Sequence, residues 1–125
     1  MDKTPYATPD GPPPMGPYSA ALASGDLLFL SGQIAVNSSG ETVGETAAEQ
    51  ATKALENMRS LLAAANLSME AVVKTTIFLV DMADFGAVNE VYARFFTAPY
   101  PARSTVAVAA LPKGLKVEIE AIARR

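Results

Sequence analysis

The strongest constraint on this chain is a helix signature running from Thr46 to Asn66. Thr46-Ala47-Ala48-Glu49 has the form of a capping box, in which the threonine hydroxyl and the glutamate carboxylate each take up a backbone N–H left unpaired at a helix start. Apolar residues then recur at positions 47, 51, 54, 55, 58, 61, 62 and 65, one face of a 3.6-residue helix. Glu49 and Lys53 stand four apart on the outward side, and Asn66 tolerates the left-handed conformation that closes a helix. A helix with one apolar stripe must bury it against another element. Val72 to Val80, rich in β-branched residues, reads as the buried strand that follows.

The same punctuation continues on both sides. Downstream, Asp81 to Asp84 can cap a second amphipathic helix built on Phe85, Val88, Tyr92, Phe95 and Phe96, which Pro99 and Pro101 end. Residues 103–109 and 115–123 read as two strands around a connection containing Leu111-Pro112-Lys113-Gly114. In the last of them Val117, Ile119 and Ala121 share one face, and Lys116, Glu118 and Glu120 the other. Upstream, the apolar stretch from Tyr18 to Gln33 breaks at Ser24-Gly25-Asp26, which predicts a hairpin of strands near 18–24 and 27–32, and Asn37-Ser38-Ser39-Gly40 is a loop. The order β-β-α-β-α-β-β predicts an α+β fold, a mixed sheet with both helices packed on one face. Pro5, Pro9, Pro12, Pro13, Pro14 and Pro17 make residues 1–17 an extended arm. It is either a free tail or a strap held by Tyr6, Met15 and Tyr18.

Length and composition bound the function. A chain of 125 residues fits one domain, here 1–125, and half its residues are hydrophobic. That fraction is high for a small monomer, and the sheet face away from the helices needs cover, which points to a subunit interface. The net charge is −3 with both signs interspersed, so no basic patch marks a nucleic-acid partner. No run of about eighteen apolar residues is present and the N-terminal arm lacks the apolar core of a signal peptide, so a cytoplasmic protein without a membrane partner is expected. There is no histidine and no cysteine. Catalysis would therefore fall to carboxylates, hydroxyls, Arg, Lys, backbone groups or water, without the usual zinc ligands. Gly-rich phosphate loops and a nucleophile elbow are absent as well, so no cofactor is expected.

Two residues stand out. Arg103 opens a strand after Pro101-Ala102, and its planar fork suits bidentate capture of a carboxylate. If the last two strands pair as a hairpin, Glu118 falls close to the position opposite Arg103. The two would then either form a cross-strand ion pair, or hold a substrate carboxylate and a water between them. Glu120 shares the face of Glu118 and is its rival. Tyr18 ends the arm, Ser31-Gly32-Gln33 places a glycine where another group can approach the backbone, Asn89 interrupts an apolar helix face, and Thr105 shares the face of Arg103.

These segments together resemble the RidA family, also known as the L-PSP endoribonuclease family. The likeness is carried by Gly16-Pro17-Tyr18-Ser19, Ser31-Gly32-Gln33-Ile34, Val73 to Phe78, Val88-Asn89, Tyr92 with Phe95-Phe96, Pro101-Ala102-Arg103-Ser104, Leu111-Pro112-Lys113 and Val117 to Ala123. It implies a chorismate-mutase-like fold assembled as a homotrimer with ligand sites between subunits. The activity it implies is cofactor-free deamination of 2-iminobutanoate and 2-iminopropanoate, reactive products of pyridoxal-phosphate enzymes, to 2-oxo acids and ammonia. By position Arg103 matches the residue that grips the substrate carboxylate and Glu118 the one that handles water. Tyr18, Ser31, Asn89 and Thr105 match pocket positions. Two departures bear on substrate size: Thr105 stands where some members have cysteine, and the linker Thr97 to Tyr100 is shorter than is usual. Two other functions remain compatible with such a fold: a non-catalytic 2-oxo-acid binder or sensor, and a ribonuclease or translation inhibitor.

Overall fold

Local signals account for most of the elements in the computed structural model, which describes residues 2–125. The first helix, α1, spans Ala47–Ala64 with Thr46 as its N-cap. The Glu49 N–H donates to Thr46 Oγ1 at 3.1 Å, and Glu49 Oε1 accepts from the N–H groups of Thr46 and Glu45, both at 3.0 Å. The Glu49 carboxylate is thus committed to the helix start rather than to Lys53. These backbone donors, Thr46 first, hold its pKa below the ordinary value. At the other end Asn66 takes φ 61°, and the N–H groups of Asn66 and Leu67 donate to the carbonyls of Ala63 and Leu62, each at 2.9 Å. That is the left-handed closure expected of asparagine.

The strands are β1 (Thr4–Tyr6), β2 (Ala21–Ser24), β3 (Leu27–Gln33), β4 (Val72–Leu79), β5 (Ala102–Ala107) and β6 (Val117–Arg124), with α2 at Phe85–Phe95. They form one sheet in the order β1-β2-β3-β6-β4-β5. The two helices and mixed sheet are as expected, with a short extra strand, β1, at the front. The arm is therefore a strap. Thr4, Pro5 and Tyr6 pair with Ala23, Leu22 and Ala21, and Pro5 is tolerated because β1 is an edge strand.

The C-terminal hairpin is not formed. β5 runs parallel to β4 after the α2 crossover, and β6 lies on the other side of β4, antiparallel to both β4 and β3. The segment between them passes the end of β4: the Val108 N–H donates to the Leu79 carbonyl at 2.8 Å and the Val80 N–H to the Lys116 carbonyl at 3.2 Å. The parallel β5 uses one edge of β4, and β6 takes the other in place of the free edge of β5.

Val117, Ile119, Ala121 and Ala123 of β6 are buried with Leu28 and Leu30 of β3, Ile77 and Leu79 of β4, and the stripe Ala51, Leu55, Met58 and Leu62 of α1. This is the helix side of the sheet. The other side carries Leu22, Phe29, Phe78, Ile122 and Val106, and within a single chain Phe29 keeps 43% and Val106 42% of its surface exposed. Asn57, buried on α1, donates through Nδ2 to the carbonyls of Ile34 at 3.0 Å and Val36 at 2.9 Å. That ties the segment after β3 to the helix. No helix among the described residues is long and apolar enough to cross a membrane.

Candidate functional site

Arg103 sits near the start of β5, opposite Thr75 of β4. Thr75 is fully buried and faces α2, where its Oγ1 lies 2.7 Å from Tyr92 Oη. Paired residues on neighbouring strands point to the same face, so Arg103 also projects toward α2. Its Cζ lies 4.8 Å from the Tyr92 ring centroid and 5.7 Å from that of Phe85. Such contacts fix a guanidinium through its flat face and leave its edge N–H donors free. No carboxylate pairs with it among the described residues. Burial pushes the Tyr92 phenol above its ordinary pKa, opposed by the Thr75 hydrogen bond and the Arg103 charge, so the ring is a neutral platform at physiological pH.

Arg103 lines a cavity of about 310 Å³ together with Asn89, Tyr92, Ala93, Tyr100 and Pro101. Asn89 is therefore a wall residue, half-buried. Thr105, two residues on and opposite Ile77, shares this side, and its buried Oγ1 has no hydrogen-bond partner.

Glu118 occupies a different place. On β6 it lies opposite Phe78, flanked by the buried Val117 and Ile119, so it points away from the helices. It lines a cavity of about 190 Å³ with Tyr18, Ser31, Gly32, Gln33 and the arm residues Pro12 to Met15. A β-bulge shapes that wall: the pairing of β3 with β6 steps from Leu30 opposite Ala121 to Gln33 opposite Ile119. Ser31 is pinned there, its Oγ donating to the Ser19 carbonyl at 2.7 Å and its N–H to the Ala20 carbonyl at 2.9 Å. Tyr18, 53% exposed, accepts the Met15 N–H at its Oη at 3.4 Å. Burial, reinforced by the nearby Glu120 charge, raises the Glu118 pKa above the ordinary glutamate value. Glu120 is exposed instead in an adjoining hollow of about 470 Å³ with Lys74, Phe29 and Ile122.

Six residues singled out from the sequence thus form two groups on opposite faces of one sheet. Tyr18, Ser31 and Glu118 share the open face, while Asn89 and Arg103 share the helix face with Thr105 beside them. The expected adjacency of Arg103 and Glu118 is overturned, because β4 separates their strands and their side chains diverge. Sequence reasoning did not find the roles of Tyr92 and Phe85 as supports for Arg103. Aromatic residues at helical spacing read as core, and only the parallel β4–β5 pairing brings Arg103 beneath them.

Comparison with known proteins is consistent across sequence and structure. Residues 8–125 match the family model described as Endoribonuclease L-PSP. The 2-iminobutanoate/2-iminopropanoate deaminase of Escherichia coli is 45% identical over 128 residues, covering 100% of this chain and 99% of its own length. The human protein of the same name is 46% identical over 118 residues, covering 94% of this chain and 86% of its own. The crystal structure of Escherichia coli TdcF with bound serine superposes with a TM-score of 0.92 at 43% identity, covering 98% of each chain.

Proposed function

The chain belongs to the Endoribonuclease L-PSP family, and from that premise we propose that it hydrolyses small 2-imino acids, such as 2-iminobutanoate and 2-iminopropanoate, to 2-oxo acids and ammonia. The observation that carries this reading is the Arg103 fork, its N–H edge without a carboxylate partner among the described residues, lying over the Tyr92 ring and lining a cavity of small-metabolite size. A planar carboxylate matches that edge. We read residues 1–125 as one domain, with residues 1–17 as an arm walling the Glu118 cavity, and place it in the cytoplasm, where a cysteine-free chain needs no oxidising compartment.

Because Arg103 and Glu118 leave opposite faces of the sheet, one chain cannot close both on a molecule with two or three carbons between its ends. A cleft between subunits can, and a homotrimer arranged head to tail provides three. In that cleft Arg103 of one subunit holds the substrate carboxylate while Glu118 of the next holds a water against C2 of the protonated imine. The water oxygen bonds to C2 as Glu118 accepts its proton. The C2–N bond then breaks as Glu118 returns that proton to the nitrogen and the C2 hydroxyl gives up its own to the departing ammonia, leaving the 2-oxo acid and ammonium. A carboxyl whose pKa is raised by burial is a stronger base than an ordinary glutamate, which suits a group that takes and returns one proton. Orientation supplies the rest, since a protonated imine is already electrophilic.

Mixing two damaged chains tests this directly. Arg103→Ala and Glu118→Ala are each expected to lose the acceleration of imine decay. Co-refolding them in equal amounts should restore activity in up to about a quarter of the clefts, by random pairing of neighbours. No recovery in mixed assemblies, or full acceleration by either variant alone, overturns the reading. Tight 2-oxo-acid binding without turnover would instead identify a binder, and RNA cleavage lost with Arg103 and Glu118 would identify a nuclease.

A further inference from the structure

We propose that Gly32 is a positioning residue whose missing side chain forms the seat of the Glu118 carboxylate, an inference that rests on the water-handling role of Glu118 just described. A Cβ built at Gly32 would overlap Glu118 Oε2 and would stand 2.7 Å from Cδ and 2.9 Å from Cγ. Non-bonded carbons settle at about 3.5–4.0 Å, so the carboxylate and a side chain at position 32 exclude one another. Conformation does not demand the glycine, because Gly32 is not among the residues with positive φ. The demand is for space alone.

The bulge explains why this space exists. β3 advances three residues, Leu30 to Gln33, while β6 advances two, Ala121 to Ile119, so the Ser31–Gly32 backbone is left outside the regular ladder and bends. Glu118 enters the room so made. Its strand cannot slide away, because Val117 and Ile119 on either side are fully buried in the core. Glu120, on the same face and directly across from the bulge, stays exposed. The space at Gly32 is taken by Glu118 and not by Glu120. It also fixes the Glu118 carboxylate between Tyr18 and the arm, where a water held by it faces the cavity.

The test is a set of variants at two positions, assayed in the full chain for imine turnover, for 2-oxo-acid affinity and for thermal stability. Gly32→Ala is expected to lower kcat about a hundredfold, the scale of a displacement of roughly 1 Å of a reacting group. Affinity for a 2-oxo acid should change little, because Arg103 lies on the other sheet face. The acid limb of the pH–kcat profile should move to lower pH as the carboxyl is pushed into solvent. Glu118→Asp in the Gly32→Ala background, which shortens the side chain by one methylene, should recover part of the lost rate.

Stability gives an independent reading. Gly32→Ala should lower Tm by several degrees with Glu118 present and leave it nearly unchanged in a Glu118→Ala background. If the single variant does not fold, the double variant still should. Full activity of Gly32→Ala, or an equal loss of Tm in both backgrounds, overturns the proposal. Retained activity in Glu118→Ala alone would overturn the catalytic reading of Glu118, and the coupling of the two Tm values would still decide whether Gly32 forms its seat.

Discussion

Thr75 Oγ1 and Tyr92 Oη lie 2.7 Å apart inside the core, and the ring fixed by that bond is the one over which the Arg103 guanidinium lies at 4.8 Å. A buried hydroxyl pair between β4 and α2 therefore sets the position of a charge on β5. The arrangement joins a stability feature to the proposed carboxylate anchor through a single aromatic side chain.

Tyr92→Phe leaves the fully buried Thr75 hydroxyl without its partner, and should cost about 1–3 kcal/mol in urea unfolding. Thr75→Val should cost a similar amount, whereas the double variant, with both polar groups gone, should approach the wild type. Because phenylalanine keeps the ring, Tyr92→Phe should retain 2-oxo-acid affinity. Tyr92→Ala should weaken it roughly tenfold, in line with a loss of about 1–2 kcal/mol of cation–π support. Calorimetric titration with a 2-oxo acid separates the two effects.

Arg103→Lys keeps the charge and loses both the flat face and the fork. It should weaken carboxylate binding about ten- to hundredfold with little change in Tm, since Arg103 makes no ion pair among the described residues. A lysine variant that binds as tightly as the wild type would show that only charge matters there.

The Glu118 carboxyl is raised above its unfolded value of about 4.5, with burial as the main cause. A group so shifted favours the folded state fully below the unfolded pKa, and that contribution is lost as pH rises through the folded pKa. Glu118→Gln should therefore raise Tm relative to the wild type at neutral pH, and the advantage should close as pH falls below the ordinary glutamate range. Glu49 behaves in the opposite sense. Its depressed pKa gives stability present above the unfolded value and lost as pH falls through the folded one, so Glu49→Gln should lower Tm at neutral pH and converge with the wild type in acid.

Asn57→Ala removes the donor that serves the Ile34 and Val36 carbonyls, and should cost about 2–4 kcal/mol by chemical denaturation. The fault should appear first in the segment joining β3 to α1, as faster amide exchange around Val36.

What the sequence discloses is what local chemistry controls. The Thr46–Glu49 box, the α1 stripe and the Asn66 closure are written in neighbours three or four residues apart, and each formed as read. The alternation of β6 likewise assigns Glu118 to one face and Ile119 to the other. Glycine at position 32 also signalled a close backbone approach, without revealing that Glu118 is the group that comes close. Pairing order is a different matter. Nothing within β5 or β6 tells that β4 lies between them, so the adjacency of Arg103 and Glu118 was inferred from succession along the chain and was wrong. Asn57 was overlooked for the same reason, since its partners lie more than twenty positions away on another segment.

The sixth strand in sequence is an inner strand of the sheet, inserted between β3 and β4. While a ribosome is still adding residues 117–124, β3 and β4 face each other across an empty lane, with Leu28, Leu30, Ile77 and Leu79 lacking their β6 neighbours. No amount of waiting can complete the core before that lane is filled. Folding of this chain should therefore wait on β6 and be nearly all-or-none, and chains truncated before Val117 should remain protease-sensitive and prone to stick to one another.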